Sequence, residues 1–182
     1  MFDLIGRVVV VGSIRGVAMG SLYIAIPGAG TAAPVEVATT TALRTVLQVA
    51  TPSTTRIRVA GWGISFDGVT SSDPPGQVIL TDTTVAATTG TSLTADKWGS
   101  DDAPTSLCIG GAALTAYALT VEGTPGASRL IDSQQVHPQT GYSVWFPDST
   151  RARIDVSRFL RVRVSFSVSI NCIPWVVYEE PA

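Results

Sequence analysis

The segment Leu160-Arg-Val-Arg-Val-Ser-Phe-Ser-Val-Ser-Ile170 alternates apolar and polar side chains without a break. Leu160, Val162, Val164, Phe166, Val168 and Ile170 share one parity, while Arg161, Arg163 and the serines share the other. Side chains of a β-strand point alternately to opposite faces, so a period this regular predicts a strand with one buried face and an Arg/Ser outer face. At about 3.3 Å per residue it would run ~36 Å, enough to cross a sandwich, which predicts a place in the middle of a sheet.

Thr55 to Phe66 begins in the same way, with Ile57 and Val59 set against Arg56 and Arg58, but Trp62, Ile64 and Phe66 then take the opposite parity. A one-residue slip of this kind at Gly61 predicts a β-bulge. Further strands are expected over Arg7–Ile14, Leu22–Ile26, Leu43–Val49, Gln77–Thr81, Leu114–Val121, Tyr142–Phe146, Ala152–Val156 and Ile173–Tyr178. Turn chemistry separates them at Pro27-Gly28-Ala29-Gly30, Asp67-Gly68, Asp73-Pro74-Pro75-Gly76, Gly123-Thr124-Pro125-Gly126 and Pro147-Asp148-Ser149. No helical period persists and no internal repeat is visible. The expectation is an all-β, single-domain antiparallel β-sandwich, jelly-roll-like, over residues 21–182, with residues 1–20 as an extended N-terminal arm. Thr83 to Ser106, rich in Thr, Ser, Asp and Gly, reads as a long surface loop of the sort that binds something.

Charged residues make up 14% of the 182-residue chain, against roughly 25% in ordinary soluble domains, and the mean hydropathy is +0.32. With so little charge to cover a monomer, and no run near the ~18 apolar residues of a membrane span, surplus apolar surface points to a homo-oligomer and not to a membrane. The net charge of −2 and the absence of any Lys/Arg block argue against nucleic acid as a partner. Met1 to Val11 is superficially like a signal peptide, but Asp3 and Arg7 interrupt it, and an uncleaved segment is expected. Met19 is an alternative start.

Equipment for chemistry is sparse, and no enzyme activity, cofactor or metal is expected. His137 is the only histidine and sits beside Pro138, without a Gly-x-Ser-x-Gly elbow or another triad cue. Cys108 and Cys172 are the only cysteines, show no CxxC spacing and read as buried thiols. Glu179 and Glu180 point to opposite faces of an extended terminus rather than flanking a glycosidic bond. Asp96, Asp101 and Asp102 match no EF-hand spacing, and Gly28-Ala29-Gly30 lacks the residues of a phosphate cradle. Trp62, Trp98, Trp145 and Trp175 are either the wall of a carbohydrate groove or, more plainly, core and interface anchors.

Ile57-Arg-Val-Ala-Gly-Trp-Gly-Ile-Ser-Phe-Asp-Gly68, Val136-His-Pro-Gln-Thr-Gly141 with Phe146-Pro147, Leu160-Arg-Val-Arg-Val164 and the closing Trp175-x-x-Tyr-Glu-Glu180 together resemble small decoration, or cement, proteins of tailed-bacteriophage heads. The resemblance spans most of residues 21–180. It implies a jelly-roll β-sandwich, often a homotrimer, that binds the major capsid protein on the outside of the virion and stabilises the shell, and it carries no catalytic residues. On that reading Phe2, Leu4, Ile5, Val8 and Val10 of the arm, together with Trp98, Arg161 and Arg163, are the candidate interface residues. The alternative is a carbohydrate- or host-surface-binding module of a phage tail, using Trp98 and the 83–106 loop. A coat protein enclosing its genome would call for a basic arm, and residues 1–20 hold only Arg7 and Arg15 against Asp3.

Overall fold

In the computed structural model, residues 20–29, 33–70, 73–99, 105–124 and 126–181 are described. In chain order the strands are β1 (Ser21–Ala25), β2 (Val37–Ala38), β3 (Arg44–Ala50), β4 (Ile57–Phe66), β5 (Gly76–Thr83), β6 (Thr91–Ser92), β7 (Asp96–Lys97), β8 (Ala116–Tyr117), β9 (Ser128–Val136), β10 (Tyr142–Trp145), β11 (Arg153–Ile154), β12 (Phe159–Ser165) and β13 (Asn171–Glu180). Among the described residues the one helical element is a 3-10 turn, Asp148–Thr150.

The longer strands pair as a nested ribbon: β5 with β9, β4 with β10, β3 with β12 and β1 with β13, each pair antiparallel. Rolled up, the ribbon sets β12 against β5 and β13 against β4. The result is two facing sheets, β1-β13-β4-β10 and β3-β12-β5-β9, with β7, β2 and β11 added to the first and β6 and β8 to the second. This is the strand order of a jelly roll, and the sandwich expected from the sequence is what the chain forms. One core fills the space between the sheets, built from alternate residues such as Leu47, Val49, Leu80, Leu160 and Val162 facing Val59, Trp62, Ile64, Val176 and Tyr178.

Among the described residues the long strands carry three irregularities, one of which leaves Val46 of β3 unpaired opposite Val162 and Arg163 of β12. Val177 pairs with Gly61 but Tyr178 with Val59, which leaves Ala60 as the extra residue; the bulge read at Gly61 lies one position away. A further bulge, not expected, leaves Ile131 unpaired between Leu80↔Asp132 and Thr81↔Leu130. Past it, the Asp132 carboxylate accepts hydrogen bonds from Trp62 Nε1 on β4 (3.1 Å) and from the Tyr142 hydroxyl on β10 (2.7 Å), tying edge strand β9 to the opposite sheet.

Several expectations change. β12 lies in the middle of its sheet, between β3 and β5, but stops at Ser165 instead of running on to Ile170. From Phe166 the backbone takes new partners: Phe166 N–H donates to Thr40 O (3.1 Å) and Ile170 N–H to Thr39 Oγ1 (3.1 Å) as the chain crosses to the other sheet. The buried Phe166 ring packs edge-on against Phe66 at 4.7 Å, so the apolar parity continues through the corner although the strand does not. Leu114–Val121 contracts to β8, because Ala118 adopts φ 52°, a left-handed conformation that ends pairing. The described part of the 83–106 stretch is no free loop; it carries β6 and β7 and buries Ala87, Leu93 and Ala95. β9, rich in polar side chains, was not expected: an edge strand has one unpaired side and shows little hydrophobic alternation. Arg7–Ile14 lies outside the described residues.

Cys108 and Cys172 are both free and buried, as read from the sequence. Burial, reinforced by Glu180 near Cys108 and by Asp67 near Cys172, pushes each thiol up from 9.0 to about 12. An unfolded chain sheds these protons near pH 9 while the native one keeps them, so the unfolded state binds fewer protons above pH 9. Stability is therefore expected to hold below pH 9 and to fall as pH rises from 9 to 12, by up to about 1.4 kcal/mol per thiol per pH unit. Urea titrations at pH 8, 10 and 11 check the sign, and a rise in stability over that range would refute it. Neither thiol should react with a thiol-specific reagent at about pH 8 until the protein unfolds.

Candidate functional site

The outer face of the β1-β13-β4-β10 sheet carries a row of tryptophans, which β4 makes possible. In Gly61-Trp62-Gly63 the large side chain turns into the core, where Trp62 is fully buried, and the flanking positions leave the outer face bare. Directly across from Gly61 is Trp145 on β10, and across from Gly63 is Trp175 on β13. Each indole rests on the glycine opposite. A Cβ at Gly61 would come within 2.8 Å of Trp145 Cε3, and one at Gly63 within 2.6 Å of Trp175 Cζ2. Only glycine admits rings this close to the strand.

Trp98 completes the row from the far side of the sheet. Its backbone N–H donates to Leu22 O (2.9 Å), continuing the pairing of β7 with β1. Its ring meets Trp145 at 5.5 Å between centroids and 62° between planes, and Trp145 meets Trp175 at 5.5 Å and 37°. The rings hold one another yet remain open to solvent, with Trp98 49% and Trp145 52% exposed. Aromatic pairs of this geometry are favourable by ~0.5–1.5 kcal/mol beyond burial, so the row is pre-organised.

A charged knot borders the row on the same side of β13. Glu179 has the parity of Trp175 and pairs across the strand with Arg58. Its carboxylate meets Arg151 at 3.0 Å and Arg58 at 3.5 Å, and Arg151 also reaches Asp148 at 2.6 Å. The Nε of Arg151 is buried without a hydrogen-bond partner among the described residues. An apolar aromatic centre thus lies beside a charged border.

The other candidate residues fall elsewhere. Phe2, Leu4, Ile5, Val8 and Val10 lie outside the described residues. Arg161 and Arg163 point away from the core, as their parity requires, but Val85 and Glu122 of the same chain lie over them. Arg161 is fully buried. It donates to Thr45 Oγ1 (2.8 Å), Val85 O (3.3 Å) and Glu122 O (2.7 Å), and it pairs with the Glu122 carboxylate, which Arg163 Nε also meets at 2.6 Å. The outer face assigned to these arginines is thus an internal polar layer; alternation reports which side of a sheet a residue takes, not what covers that side. Gln48 belongs to the same layer, exchanging hydrogen bonds with the backbone of Ala87 and donating to Leu114 O.

His137 sits in a turn, its Nδ1 accepting from the N–H of Gln139 and its carbonyl from the N–H of Thr140. Among the described residues no group of three or more His, Cys, Asp or Glu is placed to hold a metal ion. The sequence reading singled out Trp98 but did not join it to Trp145 and Trp175. The signal was the bare outer face of Gly61-Trp62-Gly63, which implies large neighbours on adjacent strands. No protein-family model, no curated protein and no solved structure matches the chain.

Proposed function

We propose that the chain is a non-enzymatic structural protein of the virion, of the decoration type, that docks on the outside of a phage head through Trp98, Trp145 and Trp175. The observation that carries a docking role is the row itself: three pre-organised indoles, two of them about half exposed, held over Gly61 and Gly63. Exposed aromatic clusters of this kind are the usual anchors of protein interfaces. The phage head enters through the sequence resemblance and agrees with the low charge, the net charge of −2 and the jelly-roll topology, an architecture common among viral capsid domains. On this reading the partner is the major capsid protein, the protein is a homo-oligomer of the trimeric kind, and neither nucleic acid nor membrane is bound.

A second reading, a carbohydrate- or host-surface-binding module of a phage tail, is favoured by one feature: flat indole faces in a row also suit stacking on sugar rings. Co-sedimentation with DNA-free heads of the encoding phage, run beside a glycan array, separates the two. The decoration reading expects saturable binding to heads, weakened by at least ~2 kcal/mol in Trp145→Ala with the fold intact. Binding to glycans and not to heads would overturn it in favour of the second reading, and unchanged head binding by Trp145→Ala and Trp98→Ala would remove the row as the contact.

A further inference from the structure

A second surface, unrelated to the tryptophan row, gathers much of the positive charge of the chain. Where β5 ends and β9 and β12 begin, an open cleft of about 530 Å³ is lined by Arg56, Asp82, Arg129, Arg153, Asp155 and Arg158. The whole chain has only 12 cationic residues and a net charge of −2, yet four guanidiniums here face two carboxylates. The cleft therefore holds a surplus of two positive charges.

The carboxylates brace the arginines. The Asp82 side chain is only 6% exposed and takes Arg158 Nε on Oδ1 (2.7 Å) and Arg129 Nη2 on Oδ2 (3.1 Å), fixing two guanidiniums side by side. Asp155 takes Arg56 Nε at 2.6 Å and the N–H of Val156 at 3.0 Å. Arg153 makes no side-chain hydrogen bond or ion pair with any described residue, while its carbonyl accepts from Arg129 Nη2. Each guanidinium has five N–H donors in a rigid fork, and the braces use only some of them. Like charges gathered and held without a matching anion raise the local potential, which an incoming anion relieves.

We propose that this cleft binds a tetrahedral oxodianion, a phosphate group either free or carried as a terminal monoester. The surplus of two charges matches a dianion, and guanidinium forks fit phosphate oxygens pairwise, which a lone carboxylate would only half satisfy. Asp82 pre-organises Arg129 and Arg158, so little side-chain entropy remains to be lost on binding.

Calorimetric titration of the full chain at low salt and near-neutral pH, with inorganic phosphate in one arm and glycerol 3-phosphate in the other, tests this. Saturable one-to-one binding is expected in at least one arm, displaced by sulfate but not by chloride at equal ionic strength, and weakened about tenfold or more by Arg153→Gln. That variant removes no side-chain hydrogen bond or ion pair among the described residues, and Arg56→Gln provides an independent second. Tighter binding of the ester assigns the site to phosphate borne on a larger molecule; equal affinities assign it to free phosphate. Absence of saturable binding in both arms, displacement by chloride, or wild-type affinity in both folded variants would overturn the proposal.

Discussion

Replacing Glu122 with alanine is expected to cost about 3–5 kcal/mol of folding stability, read as a shift of the urea midpoint. Among the described residues the Glu122 carboxylate is the one acidic partner of the fully buried Arg161 guanidinium; it also pairs with Arg163 and accepts the N–H of Thr45 at 2.7 Å. Burial already disfavours the charge on Arg161, so its pKa is lowered even with Glu122 in place. Without the carboxylate the fully buried Arg161 guanidinium and the largely buried one of Arg163 lose the charge they share. Glu122→Gln keeps an oxygen acceptor but no charge and should fall between wild type and alanine. The loss should be accompanied by faster amide exchange at Thr45 and Ala87, because the same layer holds the backbone at Val85, Ala87 and Glu122. A change below about 1 kcal/mol in Glu122→Ala would mean that the layer is solvated and that the segment is held by other contacts.

Trp62→Ala should be comparably damaging, by about 3–5 kcal/mol. The side chain is fully buried between the sheets, meets the Tyr142 ring edge-on at 5.3 Å and donates to Asp132 at 3.1 Å. Truncation leaves a cavity and removes one of the two donors through which Asp132 ties edge strand β9 to the opposite sheet. Trp62→Phe retains most of the volume and loses the N–H, so about 1–2 kcal/mol is expected. Thermal and urea unfolding of both variants measure the difference. Equal losses for Phe and Ala would show that the hydrogen bond to Asp132, and not packing, carries the contribution of this residue.

Trp62 and the exposed row are linked through the same tripeptide. Turning Trp62 inward is what leaves Gly61 and Gly63 outward, and the bare backbone at those positions is what seats Trp145 and Trp175. One local sequence choice thus contributes both to the core and to the surface on which the proposed docking rests.

What the sequence by itself determined is the class of fold and the side of the sheet each residue takes. Period-two alternation in Leu160–Phe166 and the parity slip beside Gly61 are properties of a pleated backbone and need no tertiary information. Tertiary structure decided what lies over each face. Nothing in the alternation of Arg161 and Arg163 indicates that Val85 and Glu122 come to cover them, because covering depends on contacts between residues far apart in the chain. Strand β9 was invisible for a related reason: an edge strand is selected by its hydrogen-bonding partner, and its side chains need not be apolar. The end of β12 at Ser165 was likewise set by Thr39 and Thr40, which capture the backbone while the side-chain pattern continues. The tryptophan row combines both kinds of information. Its glycine seats are legible in Gly61-Trp62-Gly63, but which rings occupy them follows from the register of β10 and β13 against β4, which only the rolled ribbon establishes.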